Sequence, residues 1–259
     1  MLRSMYSGIS GMKNFQTKLD VVGNNIANVN TAGFKKGRIT FQDLMSQTSS
    51  PAQGAGNGRG GINAVQVGTG AQIGSIDNVH TQGFLQNTER PLDLMIDGDG
   101  FFVLERPGEP AAYTRSGNFY LDDAGDLVNA DGYYVLGSGD AKINIPEGAV
   151  SFNIQKDGTV KYTTENGEEE AGVIQLATFS NDGGLEKAGS NLWLETDSSG
   201  QAVTGTNTAS IVSGALEMSN VDLSEEFTEM ITAQRGFQAN TRIITTSDEI
   251  LQELVNLKR

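Results

Sequence analysis

The chain has 259 residues and a formal net charge of -14, and its acidic residues are concentrated in the middle. Residues 47–222 hold 24 Asp or Glu against eight Lys or Arg. Residues 1–46 hold two Asp or Glu against six Lys or Arg, and residues 223–259 hold six against four. An acidic central part repels phosphates and anionic lipids, which argues against nucleic-acid binding and membrane insertion. The sequence has no cysteine, no run of about 18 apolar residues and no secretory signal near its start, so it predicts no disulfide, cysteine-ligated metal, transmembrane helix or cleaved signal peptide.

The first predicted element is a helix from Leu2 to about Val29. Its apolar residues recur every seven positions, and this repeat specifies a seam that another helix must cover. The stripe consists of Met5, Met12, Leu19 and Ile26. Three glycines inside the helix each cost about 1 kcal/mol relative to alanine. We therefore expect the helix to become ordered only when it is packed.

Residues 34–75 follow as a predicted connector rich in glycine. Residues 56–61 match the G-x-G-x-x-G pattern that binds a pyrophosphate. No strand is predicted before the pattern and no helix after it, so we interpret it as a feature of a linker and predict no cofactor.

Residues 76–221 are predicted to form a mainly antiparallel β-domain. Apolar segments alternate there with Asp-Gly and Asn-Gly pairs, which favour tight turns between strands. The predicted strands lie within residues 92–96, 100–104, 113–121, 133–136 and 172–179, and the turn pairs are at 97–100, 131–132, 157–158 and 166–167.

The same region offers little chemistry. Residues 97–100 resemble the start of a calcium loop, but Gly108 stands where such a loop needs a bidentate Glu. His80 is the only histidine, and the sequence has no G-x-S-x-G elbow to supply a nucleophile for it. We predict no catalytic residue, no metal site and no enzyme, although a hydrolase with a pair of carboxylates is a further hypothesis.

The last predicted element is a single helix that Asp222 caps. Its heptad stripe consists of Leu223, Met230, Phe237, Ile244 and Leu251. The β-branched run at residues 243–246 has a low helix propensity and marks a place where the helix could bend. The predicted class is α+β: terminal helices in residues 1–33 and 222–259 pair as a coiled-coil-like domain, and their two stripes form an assembly interface.

Three motifs, in order, resemble those of the bacterial flagellar hook and rod proteins. Residues 23–35 are similar to the N-terminal signature of this family, through Asn24, Asn25, Asn28, Asn30, Gly33 and Phe34. Residues 92–102 and 113–119 resemble mid-chain motifs of its hook and distal rod branch. Residues 221–240, which include Gln234 and Arg235, and residues 256–259 resemble its C-terminal signature.

The resemblance implies a structural subunit that polymerises helically into the tubular hook or distal rod and transmits motor torque. It further implies self-association, contacts with adjoining rod, hook and junction proteins, and help from the export apparatus and a hook or rod cap. The expected location is the basal body or the extracellular hook, reached without a cleaved signal peptide.

Two questions stay open at this point. The length and residues 46–74 favour the distal rod, whereas the sequence from Phe227 onward resembles hooks of Gram-positive type and shifts the balance slightly to the hook. The hypothesis from another class is a secreted oligomeric β-domain that binds a ligand or a surface.

Overall fold

The computed structural model describes residues 2–54, 60–146, 148–164, 167–205 and 209–257. The chain divides into two compact units: the first contains residues 1–26, 37–77 and 222–259, and the second contains residues 27–36 and 78–221. Most of the G-x-G-x-x-G pattern at 56–61 and part of the 166–167 turn pair lie outside the described residues.

The first unit contains both helices and most of the predicted connector. Helix α1 spans Leu2–Ala27 and helix α2 spans Leu223–Leu257. The connector forms four strands, β1 Gly37–Asp43, β2 Gln47–Ser50, β3 Val65–Val67 and β4 Ala71–Asn78. Strand β1 pairs with β4, and β2 pairs with β3.

Helix α2 begins at the predicted cap and continues without a break. The Asp222 carboxylate accepts a hydrogen bond from the Ser224 N–H at 2.8 Å, which satisfies one of the free amides of the first turn. In the β-branched stretch, the hydroxyls of Thr246 and Ser247 donate to the carbonyls of Arg242 and Ile243 at 2.9 and 2.7 Å. These hydroxyls bond back onto the same helix, and the predicted single helix is confirmed.

The second unit is built from short strands. They are β5 Leu85–Asn87, β6 Leu94–Asp97, β7 Phe101–Glu105, β8 Ala112–Thr114, β9 Tyr120–Leu121, β10 Leu127–Val128, β11 Tyr134–Gly137, β12 Ala141–Lys142, β13 Ser151–Ile154, β14 Thr159–Thr164, β15 Gly167–Val173, β16 Leu176–Thr178, β17 Glu186–Gly189, β18 Leu192–Leu194, β19 Val203–Thr204, β20 Ser210–Ser213 and β21 Ala215–Glu217. A ten-stranded sheet runs in the order β17-β18-β8-β7-β11-β10-β9, with β12, β16 and β19 attached to it. Strands β13, β14 and β15 form a second sheet, and β6 pairs with β20 and β5 with β21. All of these pairs are antiparallel, so the predicted α+β class is confirmed.

Strand β7 lies at the centre of the β-domain, and both of its faces are therefore buried. Phe102 and Leu104 belong to the larger apolar cluster, and Phe101 and Val103 belong to a second cluster with Trp193. Successive side chains of a strand point to opposite faces, so one apolar strand supplies two layers of core.

The turn predictions had mixed outcomes. The pairs at 131–132 and 157–158 join adjacent antiparallel strands and are confirmed as hairpin turns. The hairpin predicted at 97–100 is wrong, since β6 pairs with β20 while β7 pairs with β8, β11 and β16. The predicted strand at 113–121 is broken between β8 and β9 at Gly117, whose carbonyl accepts the Leu94 N–H at 2.9 Å.

Candidate assembly site

Helices α1 and α2 pack against each other in antiparallel orientation. A Cβ atom placed on Gly8 would lie 3.5 Å from the Ile244 Cγ1, and one placed on Gly236 would lie 2.6 Å from the Phe15 ring. Further along, the Asn25 amide donates to Glu226 at 3.1 Å. Residue numbers rise along α1 as those of their partners fall along α2, so each terminal helix finds its seam in the other.

Glycine gives this pair its close approach. The Phe15 ring occupies the space that a side chain at Gly236 would need, whereas no atom lies within 4 Å of a Cβ placed on Gly23. Glycines that weaken an isolated helix thus serve a packing purpose at some positions and not at others.

A matched pair of alanine substitutions tests this distinction. Gly23→Ala gains about 1 kcal/mol of helix propensity without a clash, so we expect a higher midpoint for loss of the helical signal. Gly236→Ala gains the same propensity but overpacks against Phe15 at about 1–3 kcal/mol, so the midpoint should fall. Circular dichroism at 222 nm during heating measures both, and equal shifts for the two variants would contradict the packing role of Gly236.

Most residues of the predicted stripes are shielded from water, and two of them contact the other helix. Eight of the nine are partly buried, and Leu223, at the first turn of α2, is 40% exposed. The Met12 sulfur accepts a hydrogen bond from the Thr241 hydroxyl at 3.7 Å, and Ile244 lies beside Gly8. The partly buried residues are Met5, Met12, Leu19, Ile26, Met230, Phe237, Ile244 and Leu251.

Two of the three buried positions of α2 are polar, and the hydrophobic pattern missed these two. Ala233 is fully buried, and Glu226 and Ser247 are also buried. Each lies three residues after one stripe residue and four residues before the next. These are the positions of the second row of a heptad seam. The spacing contained this signal, but the polar character of Glu226 and Ser247 hid it.

Further apolar side chains of the two helices lie outside the stripes and are exposed. They are Tyr6 and Ile9 on α1, and Phe227, Ile231, Ile243, Ile250, Leu254, Val255 and Leu257 on α2. Many large apolar side chains left in water on two packed helices are typical of a surface that another protein covers.

The N-terminal signature has residues in both units, and several of them make side-chain hydrogen bonds inside their own unit. In the first unit, the Asn25 amide bonds with both Gly37 and Glu226. The other signature asparagines differ: Asn28 accepts the Thr31 hydroxyl at 3.1 Å, while Asn24 and Asn30 are exposed. Gln234 and Arg235 of the C-terminal signature are likewise exposed on α2.

In the second unit, the end of the signature docks on the β-domain. Gly33 has a φ of +70°, its N–H donates to the Glu217 carbonyl at 2.8 Å, and a Cβ there would lie 2.6 Å from the Ser116 nitrogen. Only glycine fits this left-handed and crowded position. The next residue, Phe34, lies with its ring 5.1 Å from the Lys187 ammonium.

A buried ionic cluster fixes the same segment. Lys35, at 1% side-chain exposure, donates to the fully buried Glu217 carboxylate at 2.6 Å and to the Thr81 carbonyl at 2.8 Å. Arg115 approaches the other carboxylate oxygen of Glu217 at 3.4 Å. Burial lowers the pKa of the Lys35 ammonium, and the Glu217 carboxylate opposes that shift. The cluster joins residues from all three sequence motifs or their immediate neighbourhood.

His80 lies beside this cluster as a neutral imidazole. Its ring packs 4.8 Å from the Trp193 ring and 5.8 Å from the Phe101 ring, measured between centroids. Within the described residues, neither ring nitrogen has a hydrogen-bond partner. Burial, together with the positive charges of Lys35, Arg115 and Lys187, lowers the pKa of His80 from 6.5 to about 4.

The depressed pKa of His80 predicts acid sensitivity of the β-domain. Between pH 6.5 and about 4 the unfolded chain binds a proton at His80 that the folded chain does not, so the free energy of unfolding falls as the pH falls through this window. One such proton contributes at most about 1.4 kcal/mol per pH unit. Urea unfolding at pH 6.5 and pH 5 measures the slope, and His80→Phe, which keeps an aromatic ring in place, should flatten it. An unchanged slope in the variant would contradict this assignment.

The described residues offer no other chemistry of note. They contain no group of three or more histidine, aspartate or glutamate side chains placed to hold a metal ion. Within the same residues, neither helix has a stretch long and apolar enough to cross a membrane.

Three family models match the chain in order: flagella basal body rod protein over residues 5–35, the D1 domain of flagellar hook protein FlgE/F/G over residues 95–162, and the C-terminal part of flagellar basal body rod FlgEFG protein over residues 212–257. The chain belongs to the flagellar basal-body rod and hook protein family, and its role is structural.

Known relatives are similar over the whole chain. The chain is 57% identical to the flagellar basal-body rod protein FlgG of Bacillus subtilis over 265 positions, which cover all of both proteins. It is 40% identical to the FlgG of Caulobacter vibrioides, over 99% of this chain and all of that protein. It is 32% identical to the flagellar hook protein FlgE of Borreliella burgdorferi, again over all of both, but in an alignment of 442 positions.

Proposed function

We propose that this protein is a subunit of the flagellar distal rod, which polymerises helically with copies of itself and transmits motor torque to the hook. The observation that carries the proposal is the 57% identity to a basal-body rod protein along the full length of both chains. A rod subunit needs extensive contacts with its own copies and no reaction centre, so we propose that it is not an enzyme.

Length supports the rod over the hook. The alignment with the rod protein of Bacillus subtilis covers 265 positions, close to the 259 residues of this chain. The alignment with the hook protein covers 442 positions, so that hook protein contains additional sequence. We therefore set aside the slight preference for the hook that the C-terminal sequence suggested.

The surface of the helix pair supports self-association. The seam within one chain leaves a second apolar set exposed on α2, from Phe227 and Ile231 near its start to Leu254 and Leu257 near its end. Burial of such side chains contributes about 25 cal/mol per Å² of apolar area removed from water. Neighbouring copies would cover this surface in a polymer.

The remaining partners follow from the same proposal. At the two ends of the polymer the subunit would contact adjoining rod, hook and junction proteins. Before assembly the chain would pass through the flagellar export apparatus without a cleaved signal, and a cap would guide its incorporation. A chain without cysteine avoids disulfide formation on that route.

The alternative of a ligand-binding secreted β-domain receives less support. It requires exposed aromatic side chains around a concave site. Phe101, Phe102, Tyr113 and Phe119 are instead buried in the two apolar clusters of the β-domain.

A concentration series of the purified full chain tests self-association. We expect the sedimentation coefficient and the helical signal at 222 nm to rise together with concentration, and negative-stain images to show straight tubes when isolated basal bodies are added as seeds. A chain that stays monomeric at every concentration and does not extend the seeds would contradict the proposal.

A further inference from the structure

Asn25 connects three segments of the first unit. Its side-chain oxygen accepts the Gly37 N–H at 2.9 Å, and its amide nitrogen donates to the Gly37 carbonyl at 2.9 Å and to the Glu226 carboxylate at 3.1 Å. The two bonds with Gly37 fix the orientation of the amide, and the second hydrogen of that amide nitrogen is left for Glu226. Both side chains lie in the interior of the unit, at 2% and 4% exposure.

The apolar stripes alone do not select one alignment of α1 with α2. A repeat of seven residues matches itself again after a slip of seven residues, and α2 has five stripe residues against four in α1. In a pair slipped by one heptad, the stripes still face each other. Asn25 would then lie opposite Ala233 instead of Glu226.

The polar pair distinguishes the two alignments. A buried amide or carboxylate without a partner is costly, and in a slipped pair this cost adds to the loss of the fit between Gly236 and Phe15. The ion pair between Lys18 and Glu229, at 3.3 Å, also joins the helices, but it is partly exposed and therefore weak. We infer that Asn25, through Glu226, is the positioning residue that sets the register of α1 on α2.

Register has a direct consequence for assembly. A slip of seven residues displaces one helix along the other by roughly 10 Å, which moves the exposed apolar side chains relative to each other. Helical polymers require identical subunits, so a mixture of registers would interrupt growth. This consequence rests on the proposed function, whereas the register itself is a property of the single chain.

The absence of native cysteine allows a disulfide test on the full chain. Met12→Cys with Thr241→Cys reports the observed register, because these two side chains are in contact. Met12→Cys with Asp248→Cys and Met12→Cys with Gln234→Cys report slips of one heptad in either direction. Gel mobility after mild oxidation of dilute protein measures each intrachain disulfide.

Each cysteine pair is also introduced into the double variant Asn25→Leu with Glu226→Leu. This variant replaces the polar pair by an apolar one. We expect the helical signal at 222 nm to persist while the slipped disulfides increase roughly tenfold over the parent. The matched control is Lys18→Leu with Glu229→Leu, which removes the exposed pair and should leave the parent distribution unchanged.

Two results in the Asn25/Glu226 double variant would overturn the inference. One is that the observed register alone is retained. The other is that the helical signal is lost, which would show that the pair acts through stability only. The disulfides form within one chain, so this outcome does not depend on polymerisation. A parent chain with one register that never forms tubes would refute the proposed function and leave the register assignment intact.

Discussion

Phe237→Asp should abolish polymer formation while the β-domain stays folded. Phe237 is a partly buried member of the α2 stripe, and the substitution both removes an aromatic side chain and brings a charge into the seam. Together these effects cost the helix pair about 3 kcal/mol or more. Ile244→Asp, opposite Gly8, should act in the same way.

The chain supplies a control and an independent reporter for this result. Gln238→Asp adds the same charge at the adjacent, exposed position of α2 and should polymerise like the parent. Trp193 is the only tryptophan and is buried in the β-domain, so its fluorescence reports that domain alone. Normal tubes from Phe237→Asp would refute the seam as an assembly element, whereas a shifted Trp193 emission would show that the β-domain had been damaged as well.

Glu217→Ala should lower the free energy of unfolding of the β-domain by about 3–5 kcal/mol, the usual cost of breaking a buried ion pair by removing one partner. The substitution leaves the Lys35 ammonium and the Arg115 guanidinium buried without their carboxylate, and the Gly83 N–H loses its acceptor at 2.9 Å. Urea unfolding followed by Trp193 fluorescence measures the loss.

Two further variants locate the cause of that loss. Glu186→Ala removes an exposed carboxylate of β17 in the same unit and should change stability by no more than about 0.5 kcal/mol. Glu217→Gln combined with Lys35→Met removes both charges of the closest ion pair and should recover part of the stability, because Arg115 alone is then left without a carboxylate. A cost below about 1 kcal/mol for Glu217→Ala would mean that the ionic cluster does not hold the signature segment.

The sequence revealed the features that depend on a short repeat of apolar residues or on the residues of a single turn. The stripe that includes Met12 and the stripe that includes Ile244 were found because a helix seam repeats every seven residues. The hairpins at 131–132 and 157–158 were found because Asp-Gly suits a tight turn.

Pairings between distant parts of the chain could not be predicted in this way. Strand β6 pairs with β20 more than a hundred residues later, and nothing near residues 97–100 signals that β6 and β7 belong to different sheets. Lys35 and Glu217 are separated by 182 positions, so the sequence shows each only as an ordinary charged residue. Their importance follows from burial, which depends on the completed fold.

Immunoelectron microscopy of flagella isolated from the source bacterium, before and after removal of the cell envelope, tests the central claim most directly. A distal rod subunit predicts label confined to the straight segment that becomes accessible once the envelope is stripped. Label on the curved segment outside the cell would contradict the rod assignment and identify a hook subunit, and the absence of label from both segments would contradict the axial role itself.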